Sequence, residues 1–551
     1  MRRHNLNSLF LSLPIFALLA LPGCGDDGFS DDGAASGLGD GETSGQTGGE
    51  GNEGDGDGDG DSGSDSGDGD PGGDGDGDNG DGDGDADTGD GDGDGDGDES
   101  ESESESETGD PLCNDVDDVI LYLSPDDSNS MSSPVQVRER VLTDGSGSLS
   151  GVPVRVWEFM NYYGFDYPAA EDGELALFAN MQPLEGEPST WQLQLAVTSE
   201  VMTPAERPPM NLVLALDTSG SMNGEPMNLL KETCRAIAAN LAFGDTVSIV
   251  EWDTENVWTL AGYPVTGPND AVLSEKIEEL AAGGGTDLNG GLVSGYELAQ
   301  QTYDINMLNR IVLISDGGAN AGVTDIDLIA ENAAFGGSDG IYMVGVGVAK
   351  DSNYNDKLMN DVTDAGKGAS VFVPNDAEAW SVFGDNFENT MAIAGRNVQV
   401  ELTMPPGFEI VKFSGEEFSS DPKEVEPQHL APNDAMVFHQ QIETCAPELV
   451  DDEAEITVVA TWEDPWTFES KQIMQSWTFG DLAGMDQGLL LKGAAVLAYA
   501  ESLKAYQKAQ NDAQKTAALS AAFAAISPAQ AARPNDDDLL EIAMILAQLN
   551  P

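Results

Sequence analysis

Asp217, Ser219, Ser221, Thr286 and Asp316 are the side chains whose types and spacing best suit chemistry. The first three stand at alternate positions in DTSGSM (217–222), directly after the apolar run NLVLAL (211–216). Thr286 lies in GGGTDL (283–288) and Asp316 in SDGGAN (315–320). Every donor in this set is an oxygen; none is nitrogen or sulfur. Hard divalent cations prefer such a set, and Mg²⁺ (or Mn²⁺) takes an octahedral oxygen shell that usually keeps some water. Two carboxylates offset the charge of the dication. Neutral hydroxyls leave residual positive charge at an open position, which would draw a carboxylate from outside. Asp287 and Asn320 read as turn or supporting residues rather than ligands.

Catalysis is a poorer fit. Beyond the leader the chain has only His429 and His439, both in strand-like segments. No general base stands near Ser219 or Ser221 in the sequence, as a serine nucleophile would need. The glycines at 283–285 precede Thr-Asp-Leu rather than the Lys-Ser/Thr of a phosphate loop. Zinc-type spacing is absent, so the chain is read as a non-enzyme.

The elements that must position the five residues follow from the pattern. Between 209 and 395, short apolar runs alternate with segments of helical period: NLVLAL, TVSIVEW, RIVLIS, IYMVGVGV and SVFVP as strands, with helices between them. This predicts an α/β domain with a doubly wound, mostly parallel sheet. EAWSVFGDNFENTMAIAG is expected to be its single last helix. Ligands of such sheets sit beyond the carboxyl ends of the strands, and all three motifs fall there.

With those motifs in place, the domain resembles a von Willebrand factor A (vWA) domain of the Rossmann-like kind. DxSxS with a separate Thr and Asp resembles that family's metal-ion-dependent adhesion site (MIDAS). The resemblance implies Ser219, Ser221 and Thr286 as direct ligands, with Asp217 and Asp316 acting directly or through water. It also implies a protein partner that supplies an Asp or Glu carboxylate to the metal. Upstream, VPVRVWEFMNYYGFDYP (152–168) resembles the N-terminal segment of exported bacterial vWA proteins. Downstream, NYNDKLMNDVTDAGKG and the segment after Gly395 resemble the same subfamily.

The flanks alternate polar and apolar residues, as antiparallel strands with one buried face do. ELALFANMQPL and TWQLQLAVTSE lie before the domain, and NVQVELTMPP, AMVFHQQIETC and AEITVVATWED after it. They predict one β-sandwich with the vWA domain inserted into it. The C-terminal helical segment reads as two helices, LLLKGAAVLAYAESLKAYQKA and LLEIAMILAQL, broken by a SPAQAARPNDDD linker. They are expected to pack on the protein itself. Cys113 and Cys445 flank the folded region and are candidates for a disulfide, although sequence proves no pairing. Cys234 falls within a helix and reads as a buried thiol.

The first residues, MRRHNLNSLFLSLPIFALLALPGC, have a basic start and an apolar stretch too short to span a bilayer comfortably. LPGC resembles a bacterial lipoprotein processing site, which makes Cys24 the lipidation candidate and the membrane a partner through a lipid anchor. Outer membrane or cell surface is the expected location, with a periplasm-facing one as the alternative. The 551-residue chain has a formal net charge of -79 and no Lys or Arg between Arg3 and Arg138. Its Gly/Asp/Ser/Glu tract buries too little apolar surface to offset ordering, and reads as a disordered tether. Asp90, Asp92, Asp94, Gly95 and Glu101 match a calcium-loop pattern, but so does a register two residues along, as low complexity produces by accident. Such acidity excludes nucleic acid as a partner.

The expected organisation is 1–24 signal peptide, 25–110 acidic linker, 111–208 N-terminal flanking β region, 209–395 vWA domain, 396–480 C-terminal flanking β region and 481–551 C-terminal helices. The expected function is a membrane-anchored exported protein that binds a protein partner through the metal site. The alternative is a cell-envelope scaffold in which the metal only stabilises the fold.

Overall fold

The computed structural model describes residues 113, 116–125, 130–143, 145, 147–318, 340–349 and 354–551. Cys24, the acidic tract, Asn320 and the expected helix DLIAENAAF (327–335) lie outside the described residues.

The central sheet has six strands in the order Asn256–Pro264, Thr246–Trp252, Met210–Asp217, Leu308–Ser315, Tyr342–Val348 and Ser370–Val373. All neighbours run parallel except the first pair, which is antiparallel. Met210–Asp217 and Leu308–Ser315 are buried throughout, which explains their unbroken apolar character. Successive residues face opposite layers. Leu212, Leu214 and Leu216 join Leu230 and Ile237 of helix Glu225–Asn240. Val213 and Ala215 join Leu292 and Tyr296 of helix Leu288–Thr302 on the other side. The antiparallel edge strand was not anticipated. NVWTLAGYP is half exposed without regular alternation, so it gives no period to read.

The flanks form two antiparallel sheets sharing one core. One sheet contains Val119–Ser124 from before the central domain and Gly395–Met404, Glu417–Ser419, Glu455–Glu463 and Ser470–Thr478 from after it. The other runs Phe408–Phe413, Ala435–Thr444, Thr190–Thr198, Ala176–Pro183. Thr190–Thr198 and Ala435–Thr444 pair along their length although the whole central domain separates them in sequence. Leu195, Val197, Val400, Leu402, Phe438 and Val458 fill the space between the sheets. The central domain is therefore an insertion in a sandwich. Cys113 and Cys445 are disulfide-bonded, with Cα atoms 5.8 Å apart. Cys234 is a buried free thiol, which desolvation pushes up to about 12.

Two expectations need correction. The C-terminal segment holds three helices, Gly488–Lys508, Asp512–Ala532 and Asp537–Leu549, and Pro528 lies inside the second. SPAQAA is thus helical rather than linker. The alanine-rich stretch favours helix strongly enough to carry one proline near its end. The expected single helix at 378–395 is instead Asp376–Trp380, a wider turn Ser381–Asp385 and Phe387–Met391. At the wider turn the Asn386 amide reaches back to the Ser381 carbonyl at 3.1 Å.

The C-terminal helices pack on the protein. Tyr499 meets Phe159 and Tyr163 edge-on at 5.5 and 6.2 Å. Lys492, only 2% exposed, donates to Asp536 and Asp538 at 2.9 and 2.7 Å and ties the first helix to the third. Among the described residues no helix is long and apolar enough to cross a membrane.

Candidate metal centre

The candidate site forms at the carboxyl end of the parallel strands, from three loops. Asp217 ends its strand and is fully buried. Its Oδ1 accepts from the Ser219 amide at 2.9 Å, and its Oδ2 accepts from the Ser315 hydroxyl at 2.6 Å. The short turn that follows brings Ser219 Oγ and Ser221 Oγ within 3.0 Å of each other. Ser219 is buried and Ser221 exposed, so the pair marks the passage from core to solvent.

The glycine-rich loop is held against this turn by backbone. The Gly220 amide donates to Gly284 O at 3.2 Å, and the Gly283 amide to Thr218 O at 2.7 Å. A β-carbon on Gly284 would lie 2.7 Å from the Asp253 carboxylate, and its φ is +73°. Both facts require glycine there. The hairpin turn after Trp252 supports the loop from behind. Thr254 Oγ1 accepts from the Gly285 amide at 2.6 Å, and the Asp253 carbonyl accepts from the Asp287 amide at 2.8 Å. Asp287 then caps helix Leu288–Thr302 by accepting from the Gly290 amide, the supporting role expected of it. Gly291 lets that helix lie on Trp252, since a β-carbon would sit 2.4 Å from the ring.

The third loop completes the set. Asp316 Oδ1 accepts from the Gly318 amide at 3.2 Å. A β-carbon on Gly318 would lie 3.2 Å from Asp316 Oδ1 and 3.7 Å from Thr286 Oγ1. One glycine thus separates the Thr286 and Asp316 side chains. Thr286 is buried and Asp316 half-buried. All five residues expected from the sequence stand on these three adjoining loops.

Electrostatics add a further constraint. Desolvation raises the Asp217 carboxyl to about 6; the Asp316 charge adds to the rise, while the Ser315 and Ser219 hydrogen bonds oppose it. Among the described residues no cation is among the main contributions to its balance. The donor set suits a hard dication. Neighbouring oxygens in an octahedral Mg²⁺ shell of about 2.1 Å radius are about 3 Å apart, the separation of the two serine hydroxyls. Among the described residues no three His, Cys, Asp or Glu side chains are grouped to hold a metal. The fit therefore depends on hydroxyls as much as on carboxylates.

Sequence reasoning missed Ser315, Asp253 and Thr254. Ser315 could have been found as the hydroxyl one position before Asp316, at the end of its strand. The two histidines lie elsewhere, His439 buried and His429 half-buried, and desolvation lowers each to about 3. His429 rests on Tyr342, at the opposite end of its strand from the candidate site.

Residues 211–385 match the von Willebrand factor type A domain. The uncharacterized protein YfbK of Escherichia coli K12 is 25% identical over 286 residues, covering 49% of this chain and 49% of that protein. Inter-alpha-trypsin inhibitor heavy chain H2 of Mesocricetus auratus is 29% identical over 154 residues, 27% of this chain and 16% of that one. The chain spans about half the length of the bacterial relatives it matches, 49% and 54%. Among solved structures, a von Willebrand factor type A protein from Catenulispora acidiphila aligns with a TM-score of 0.45 at 16% identity, over 68% of this chain and 96% of that one. Residues 211–385 are a von Willebrand factor type A domain, carried between the halves of a β-sandwich.

Proposed function

We propose that this chain is an exported, lipid-anchored, non-enzymatic protein that binds a protein partner through Mg²⁺ or Mn²⁺. Asp217, Ser219, Ser221, Thr286 and Asp316 would hold the ion. When bound, the ion supplies positive charge that attracts an Asp or Glu carboxylate of the partner. The chain's own residues do the rest. Ser315 and the Ser219 amide fix the Asp217 carboxylate, and the two glycine loops hold the hydroxyls in place. The observation that carries the reading is a pair of hydroxyls 3.0 Å apart beside a buried carboxylate that has no cation among the described residues. The anchor and the export reading are supported by the basic start, the apolar stretch and Cys24. More than one acyl chain on that cysteine would be needed for durable attachment.

The test is binding of envelope and surface proteins to the immobilised full chain, with membrane association followed in parallel. Binding should require Mg²⁺, reverse with chelator and disappear in Thr286→Ala. Cys24→Ser should release the protein from membranes. Association that survives both chelator and Thr286→Ala would contradict partner binding through the metal and favour an envelope scaffold.

A further inference from the structure

A cavity of about 870 Å³ lies where the loop after helix Val156–Tyr162, the final helical turn Phe387–Met391 of the central domain and the end of the four-stranded sheet meet. That volume is typical of a small-molecule site. Tyr163, Phe165 and Tyr167 give it an aromatic wall. Asp385, Glu388 and Asp434 supply carboxylates, four asparagines share the lining, and no Lys or Arg does. A fourth carboxylate, Asp166, is already paired with Arg533 at 2.6 Å.

Glu388 is the informative residue. It is only 8% exposed, and its Oε1 has no hydrogen-bond partner. Arg207 is the cation whose charge it feels, but that guanidinium is held by both oxygens of Asp245 at 3.1 and 2.7 Å. A buried carboxylate without its own cation is costly to keep ionised, so an arriving cation relieves that cost. An extended organic cation suits the layout better than a single ion. Among the described residues no three carboxylates converge on one point, and the cavity is far larger than an ion. Separated negative charges beside aromatic side chains match ammonium groups separated by methylenes, and the Phe165 ring already holds one ammonium, that of Lys492, at 5.7 Å.

We infer that the junction cavity binds a linear aliphatic di- or polyamine, its ammonium groups paired with Glu388 and Asp385 and its methylenes against the aromatic wall. This inference is independent of the metal reading.

Thermal melting of the full chain with spermidine, putrescine and butylamine tests it. Amine that condenses on the acidic tract binds folded and unfolded chain alike and drops out of the shift in Tm. Wild type should show a saturable rise in Tm, greater for spermidine than for butylamine. Glu388→Gln should lose most of that rise. Asp385→Asn, at an exposed position, should reduce it without changing the melt in the absence of amine. An equal rise in wild type and both variants, or no rise at all, would overturn the proposal. So would a rise with Ca²⁺ at matched charge that is equally large and equally dependent on Glu388.

Discussion

Two buried carboxylates at the same end of the central sheet are treated in opposite ways. Asp356 follows strand Tyr342–Val348 and is fully provided for. Arg155 reaches its Oδ2 at 2.7 Å, and Ser132 and Gln136 reach its Oδ1 at 2.8 and 2.6 Å. The same arginine holds the buried Glu158 at 2.6 Å. Asp217 receives a hydroxyl and an amide but, among the described residues, no cation, and desolvation lifts it to about 6. The first arrangement fastens the N-terminal segment to the central domain. The second leaves negative charge unbalanced where solvent can reach the neighbouring Ser221. Among the described residues the chain places a cation beside Asp356 and none beside Asp217, and the proposed metal would supply the second from outside.

The largest expected effect breaks the structural half of this comparison. Arg155→Met strands two buried carboxylates and should cost about 3–5 kcal/mol in urea unfolding. Asp217→Asn should act in the other direction. It removes a charge that has no cation beside it among the described residues, so stability without metal should hold or rise, while stabilisation by Mg²⁺ is lost. Comparable destabilisation by both substitutions, without metal, would erase the distinction.

A pH series sharpens it. The folded-state value of Asp217, about 6, lies above the unfolded value of about 3.9. The proton therefore stabilises the metal-free fold fully below the unfolded value, and this contribution is lost as pH rises through about 6. Metal needs the ionised form, so the gain in Tm from Mg²⁺ should shrink as pH falls below about 6. A gain that stays constant from pH 5 to 7.5 would show that Asp217 does not contribute to the metal. Ser221→Ala should have the smallest effect on the fold. The residue is exposed, so Tm without metal should be unchanged, with Mg²⁺ affinity down about tenfold, or about 1.4 kcal/mol.

The sequence exposed this site because two of its three loops follow strands buried on both faces, whose apolar runs are continuous. DTSGSM and SDGG could be placed at strand ends for that reason. The supporting contacts were not legible. That Thr254 holds Gly285, or that Arg155 holds Asp356, depends on packing between segments far apart in sequence, which periodicity does not encode. The sandwich was readable where strands alternate, as in Thr190–Thr198. Helix Val156–Tyr162 was not readable, because it is buried nearly all round and shows no polar face. Helix Asp512–Ala532 was missed for the converse reason: alanine and small polar residues give it little amphipathic contrast, and Pro528 read as a break.

The most direct measurement is calorimetric titration of the full chain with Mg²⁺ and Mn²⁺ in moderate salt, beside Asp217→Ala and Thr286→Ala. Diffuse uptake by the acidic tract is common to all three proteins and subtracts out. The account predicts a one-site component in wild type that is absent from both variants, each with unchanged circular dichroism. Superimposable isotherms from three folded proteins would contradict a metal centre on these loops.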